Sequence, residues 1–209
     1  MEVGAAGFRG ADAEGRSQDL AVRTVAVIGA GRVGRGFALA CAAAGFDVVL
    51  EDVMPANLRR AQEEYADLAS AGAPVAGGRG ELKVALTVED AVRGADLAVD
   101  FVPDELESKL EIFCLVDRMA PPKTILLTPS DALSITDLAS CTYRGERCFA
   151  MRGSAVGGVD AEGGAVRLLH PAGAGEQAVR AVRGVLVALG GEVLVEADPD
   201  APMLVKNLR

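Results

Sequence analysis

Residues Thr24 to Asp52 read TVAVIGAGRVGRGFALACAAAGFDVVLED. The apolar run Val25–Ile28 feeds a glycine turn, a helix of small residues, a second apolar run and an acid at its tip. Gly29, Gly31 and Gly34 stand in the spacing G-x-G-x-x-G, with Arg32 and Val33 between them at the helix start. In this fingerprint the first glycine makes the turn, the second lets backbone approach a pyrophosphate, and the third lets helix and strand pack closely. The helix N-terminus adds unpaired N–H groups and a partial positive charge. Asp52 falls about 20 residues beyond the turn, where a carboxylate accepts from ribose hydroxyls. Strand, turn, helix, strand and acid in register imply dinucleotide binding. A carboxylate at Asp52 repels a 2′-phosphate, so the expected cofactor is NAD rather than NADP; Arg59 and Arg60 lie a helical turn or two farther on.

The chain has 209 residues, which suits one large domain with appendages. No apolar run reaches the ~18 residues of a membrane span. A net charge of −9 argues against nucleic acid, because no basic face is available to neutralise phosphates. The first 20 residues lack the basic and apolar regions of a signal peptide and read, with the next three, as a flexible tail over 1–23. Cys41, Cys114, Cys141 and Cys148 show no C-x-x-C pairing, so they read as reduced thiols of a cytoplasmic protein, with no metal site. The sole histidine, His170, precedes a proline and reads as a solvated loop residue.

Strand and helix patterns alternate from Thr24 almost to the end, predicting a doubly wound, mostly parallel α/β sheet over 24–200. Expected strands are Val25–Ile28, Asp47–Glu51, Val84–Thr87, Leu97–Val102, Thr124–Thr128, Cys148–Met151, Ala165–Leu169 and Glu192–Glu196. Expected helices are Arg32–Ala44, Pro55–Ala71, Glu89–Arg93, Asp104–Ala120, Ile135–Cys141 and Glu176–Leu189. Ala71–Gly80 is too rich in Gly and Pro for a regular element. Gly153–Gly164 has no period and carries five glycines; its place beyond a strand end puts it beside the site. Residues 201–209 resemble the first turns of a helix.

Three blocks carry a family resemblance: Val99–Lys109 (VDFVPDELESK), Phe113–Thr128 (FCLVDRMAPPKTILLT) and Leu133–Ala139 (LSITDLA). With the glycine turn, they resemble the NAD-binding domain of the 3-hydroxyacyl-CoA dehydrogenases. That family oxidises a 3-hydroxyacyl-CoA to the 3-ketoacyl-CoA with NAD, so the resemblance implies a Rossmann-fold oxidoreductase of fatty acid metabolism. It also implies cofactor roles for Asp52, Asp104 and Lys109, the last two on the nicotinamide side. The NAD half is intact by position, although Asp104 stands where the family carries Glu.

The chemical half departs. The family's S-N-T-S-S-L is here Thr128-Pro129-Ser130-Asp131-Ala132-Leu133: a hydroxyl survives at Thr128, but Pro129 replaces the Asn. The catalytic His of M-H-F-F-N-P falls on Arg152, its orienting Glu on Arg167, and a later Asn on Lys206. Oxidising an alcohol by hydride transfer needs a group that takes the hydroxyl proton, which neutral imidazole does. A guanidinium is always protonated and has no acceptor. Arg152 is either a solvated strand-end charge or, with Arg167, an anion clamp. The expectation is an NAD(H)-binding domain whose dehydrogenase activity is lost or strongly reduced. One alternative is an active dehydrogenase on another hydroxy acid or carrier-bound substrate, using Thr128, Ser130 and Asp131. The other is a non-catalytic NAD(H)-sensing module. The family's all-helical second domain would begin near Arg209, so a homodimer or a partner chain is expected to supply those helices.

Overall fold

A computed structural model describes residues 21–70, 78–153 and 165–199 of the chain. The expected tail over 1–20, most of the Ala71–Gly80 loop, the glycine patch beyond Gly153 and the C-terminal helix lie outside the described residues. Eight strands form one sheet: β1 (Thr24–Ile28), β2 (Asp47–Glu51), β3 (Leu82–Ala85), β4 (Leu97–Asp100), β5 (Ile125–Pro129), β6 (Cys148–Arg152), β7 (Val166–His170) and β8 (Val193–Ala197). Six α-helices accompany them: α1 (Arg32–Ala43), α2 (Pro55–Ser70), α3 (Val88–Val92), α4 (Leu106–Met119), α5 (Ile135–Ser140) and α6 (Glu176–Ala188). The order β3-β2-β1-β4-β5-β6-β7-β8 is that of a Rossmann sheet with two added strands. Chain direction reverses its lateral course between β1 and β4, and ligands of such sheets bind outside the strand ends at that point.

Both faces are covered, which is why the strands read as nearly unbroken apolar runs. Phe37, Leu50, Val99, Leu127 and Phe149 form the core on the α1, α2 and α6 side. Ile28, Ala98, Phe113, Leu126 and Leu138 form the other on the α3, α4 and α5 side. Neighbouring strands are parallel except β6 and β7, which pair antiparallel with Arg152 opposite Arg167. A parallel pairing needs a crossover, usually helical, and the chain between these strands has no helical period.

Several boundaries move for identifiable reasons. The third strand lies two residues earlier than Val84–Thr87, because Thr87 instead caps α3, its Oγ1 accepting from Asp90 N at 3.1 Å. Helix α4 starts at Leu106 rather than Asp104, after a tight turn in which Glu105 N donates to Pro103 O at 2.8 Å. Residues expected in the tail over 1–23 are tied to the domain: Val22 packs on the core and Arg23 N donates to Asp96 Oδ2 at 3.0 Å. His170 closes β7 rather than sitting in a loop. Sequence reading gave no hint of Arg144, whose buried guanidinium binds Asp117 Oδ1 at 2.9 Å and Asp117 O at 2.6 Å, together with the carbonyls of Ala120 and Pro121. It closes the open C-terminus of α4, where the helix leaves carbonyls without partners.

Candidate functional site

The glycine turn has the geometry its spacing predicts. Gly29 takes φ +96°, a conformation L side chains rarely adopt. A Cβ on Gly34 would stand 2.0 Å from Gly29 O and 3.1 Å from the Phe101 ring, so only glycine lets α1 approach the turn. A Cβ on Gly31 would meet nothing within 4 Å. The turn is therefore closed behind Gly34 and open in front of Gly31. Gly31 is the N-cap of α1 and supplies no side-chain cap, so the helix N-terminus, with its partial positive charge, faces the open side of the turn.

Asp52 is tied to the same turn. Its Oδ2 accepts from Ala30 N at 2.6 Å and from Asn57 Nδ2 at 3.2 Å, while Oδ1 accepts from Met54 N at 2.7 Å. A carboxylate has about four acceptor positions. Three are taken, so one ribose hydroxyl can be accepted with Asn57 in place and a second only if Asn57 yields. Asn57 and Ala30 were not legible as site residues, since their roles arise only when the end of β2 folds against the turn.

Beyond the turn lies a cleft of about 380 Å³, within the ordinary range for small-molecule sites. It is lined by Gly31, Arg32, Val33 and Gly34 of the turn, by Phe101, Val102 and Asp104 after β4, by Pro129, Ser130 and Asp131 at the end of β5, and by Met151 and Gly153. Asp131 N donates to Asp104 Oδ2 at 3.0 Å, joining the loops after β4 and β5. The residues fit a dinucleotide: an open glycine at a helix N-terminus for the diphosphate, Asp52 for a ribose, and a cleft of mixed apolar and polar lining beyond.

Two expected site residues are placed elsewhere. Lys109 is fully buried, its Nζ 2.7 Å from Asp100 Oδ1, and does not line the cleft. Its position on α4 turns it toward the sheet rather than toward the loop. Thr128 is also fully buried: it falls on the sheet face covered by α4, and the adjacent Pro129 and Ser130 reach the cleft instead.

The two arginines are engaged by groups of the chain itself. Arg152 is half-buried and folds back on backbone, Nε donating to Ser130 O at 3.3 Å and Nη2 to Leu133 O at 3.4 Å. Arg167 makes a two-pronged pair with Glu196, at 3.1 and 2.6 Å, on an exposed part of the sheet. His170 is absent from the cleft lining, its Nδ1 lying 3.0 Å from Pro171 O. Among the described residues, Asp104 and Asp131 are the carboxylates lining the cleft, and no imidazole lines it with them. Among the described residues no group of three His, Cys, Asp or Glu side chains is arranged to hold a metal. No helix among them is long and apolar enough to cross a membrane.

Residues 24–152 match the model of the 3-hydroxyacyl-CoA dehydrogenase NAD-binding domain. The chain belongs to this family. A probable 3-hydroxybutyryl-CoA dehydrogenase of Bacillus subtilis is 32% identical over 140 residues, covering 63% of this chain and 48% of that protein. The 5-formyl-3-hydroxy-2-methylpyridine 4-carboxylate 5-dehydrogenase of Mesorhizobium japonicum is 32% identical over 139 residues, covering 64% of this chain and 45% of that protein. This family member thus spans about half the length of the curated relatives it matches. A solved 5-formyl-3-hydroxy-2-methylpyridine 4-carboxylic acid 5-dehydrogenase, described as NAD+-dependent, superposes with a TM-score of 0.71 at 26% identity, over 87% of this chain and 59% of that one. The 3-hydroxyacyl-CoA dehydrogenase of Archaeoglobus fulgidus gives 0.67 at 26% identity, over 85% and 57%. Family membership and these NAD-dependent relatives make NAD the cofactor of this domain.

Glu51, beside the ribose acid, is 5% exposed, and burial followed by the charge of Asp52 pushes its carboxyl above the ordinary 4.5. A raised folded-state pKa means that the stability from protonated Glu51 is full below 4.5 and lost as pH rises through the folded value. Glu51→Gln removes that loss. The variant is expected to match the parent in melting temperature near pH 4 and to exceed it increasingly toward pH 8. A constant difference across that range would show that Glu51 does not titrate this way.

Proposed function

We propose that this domain binds NAD(H) through Gly29, Gly31, Arg32, Val33 and Gly34 at the diphosphate, Asp52 at the adenosine ribose and Asp104 at the nicotinamide end. The ancestral 3-hydroxyacyl dehydrogenation is lost or strongly reduced in the chain itself. The observation that carries the proposal is the pairing of an intact turn with an arginine bound to carbonyls where the family keeps its base. When bound, NAD supplies the hydride acceptor. The chain's residues bind and orient it, but none brings a neutral imidazole to the cleft to receive a hydroxyl proton. Calorimetry with NADH and NADPH tests the cofactor half. NADH is expected to bind and NADPH much more weakly, because a 2′-phosphate meets the Asp52 carboxylate; equal affinities would sink the assignment. Asp52→Ala should weaken NADH and narrow the difference.

A dehydrogenase acting on a different hydroxy acid or carrier-bound substrate is the second reading, supported by Ser130 and Asp131 on the cleft wall. A hydroxyacyl small molecule is the substrate class in either case. The third reading, a non-catalytic NAD(H) sensor, is supported by the same absence of an imidazole from the cleft. Four free thiols support a reducing, cytoplasmic setting.

The domain also has a surface suited to a partner. Leu194 is 48% and Val195 38% exposed on β8, the last strand of the described sheet; as strand neighbours they face opposite sides, so the edge they share, rather than one apolar face, is the surface a partner would meet. A second copy or a helical partner chain seats there in this proposal. Light scattering with a dye for exposed apolar surface tests it: a self-associating or dye-binding species is expected, whereas a monodisperse, dye-silent monomer with NAD bound would refute it.

A further inference from the structure

The most costly unassigned feature of the molecule lies just behind the cleft. Lys109 Nζ and Asp100 Oδ1 form an ion pair at 2.7 Å with side chains 0% and 4% exposed. Burying two charges costs several kcal/mol per ion before their attraction is counted, and an apolar pair of equal volume is often as stable. Stability alone therefore does not account for it.

Its position does. Asp100 is the last residue of β4 and Lys109 lies in the opening turns of α4, so the pair clamps both ends of the connection between them. That connection carries Phe101, Val102 and Asp104, all on the cleft wall. Phe101 N donates to Ile28 O at 2.7 Å, and its ring sits 5.3 Å from that of Phe37. The same Phe101 fills the space that the glycines leave at Gly29 and Gly34. Thr128 belongs to this group: one step beyond the partners Val99 and Leu127, it lies beside Asp100 on the same sheet face. Thr128 Oγ1 and Asp100 Oδ2 are both buried on neighbouring strands, and the Thr128 hydroxyl and the Val102 backbone both favour the Asp100 carboxylate.

We propose that Asp100, Lys109 and Thr128 form a buried brace that sets the position of the β4–α4 connection, making Lys109 a positioning residue for the nicotinamide end of the cleft rather than a cofactor ligand. This rests on the NAD(H) reading above. In this proposal the brace acts on the nicotinamide end through Val102 and Asp104, whereas Asp52, just beyond β2, holds the adenosine ribose from another part of the sheet.

The test compares NADH with ADP-ribose, which lacks the nicotinamide, in the parent chain, Lys109→Met, Asp100→Asn and the milder Thr128→Val. Amide hydrogen exchange at Phe101 and Val102 is followed without ligand. Lys109→Met and Asp100→Asn should each weaken NADH about tenfold while leaving ADP-ribose within about twofold, and both should speed exchange at Phe101 and Val102. Thr128→Val should shift all three readouts in the same direction by less, and it carries the test if the charge variants fail to fold. Equal losses for the two ligands would reduce the group to general stability and overturn the proposal. Loss of NADH with Lys109→Met alone, with exchange unchanged, would make Lys109 a direct ligand and overturn it too. If the parent bound neither ligand, the NAD(H) reading would fall, while unchanged exchange in the variants would separately refute the brace.

Discussion

Purified chain given acetoacetyl-CoA and NADH is expected to oxidise NADH far more slowly than members of the family that keep the histidine base. Reduction of a ketone requires a donor for the alkoxide as hydride arrives, and the reverse reaction requires a base. The family position for that group holds Arg152, whose guanidinium neither releases nor accepts a proton in the accessible pH range, and its Nε and Nη2 already serve the carbonyls of Ser130 and Leu133. Loss of a general acid–base group costs about 10²–10⁴-fold in rate. Pro129, where the family has an amide, removes a further polar contact. Restoring Arg152→His with Arg167→Glu should not recover turnover, because Arg167→Glu places a second carboxylate beside Glu196, which Arg167 now neutralises at 2.6 Å. Robust turnover by the unmodified chain would mean that another group, Asp131 foremost, serves as the proton carrier.

Gly31→Val is expected to abolish NADH binding while leaving the fold intact. The space at Gly31 is open, so a branched side chain there strains nothing in the free protein and occupies the approach to the helix amides. A loss of at least about a hundredfold, ~2.7 kcal/mol, is expected by calorimetry, with a melting temperature close to the parent's. Gly34→Ala should behave oppositely, because its Cβ would press on Gly29 O at 2.0 Å and the damage would be to stability. Retained NADH affinity in Gly31→Val would remove the diphosphate from this turn.

The glycine turn and Asp52 were legible because their evidence is local: a spacing, an apolar run on each side and an acid at a strand tip. Every strand and α-helix was likewise legible within a few residues from apolar runs and their breaks. Side-chain destinations were not. Thr128 and Pro129 are neighbours on β5 that point to opposite faces, so a one-residue alternation sends the hydroxyl behind the sheet and the ring to the cleft. Lys109 required knowing which face of α4 meets β4. Arg152 required knowing that two carbonyls about 20 residues earlier in sequence would lie within reach. The antiparallel pairing of β7 goes with a sequence between Gly153 and Gly164 that has no helical period, which was legible only as irregularity.

The most direct measurement is a structure with NADH bound. The account predicts the adenosine ribose on Asp52, the diphosphate over Gly31 and the first turn of α1, and the nicotinamide beside Asp104 and Pro129. Arg152 should still be held by carbonyls, with no imidazole within reach of the reacting carbon. A cofactor seated away from the glycine turn would contradict the account, and so would His170 or another base brought against the nicotinamide.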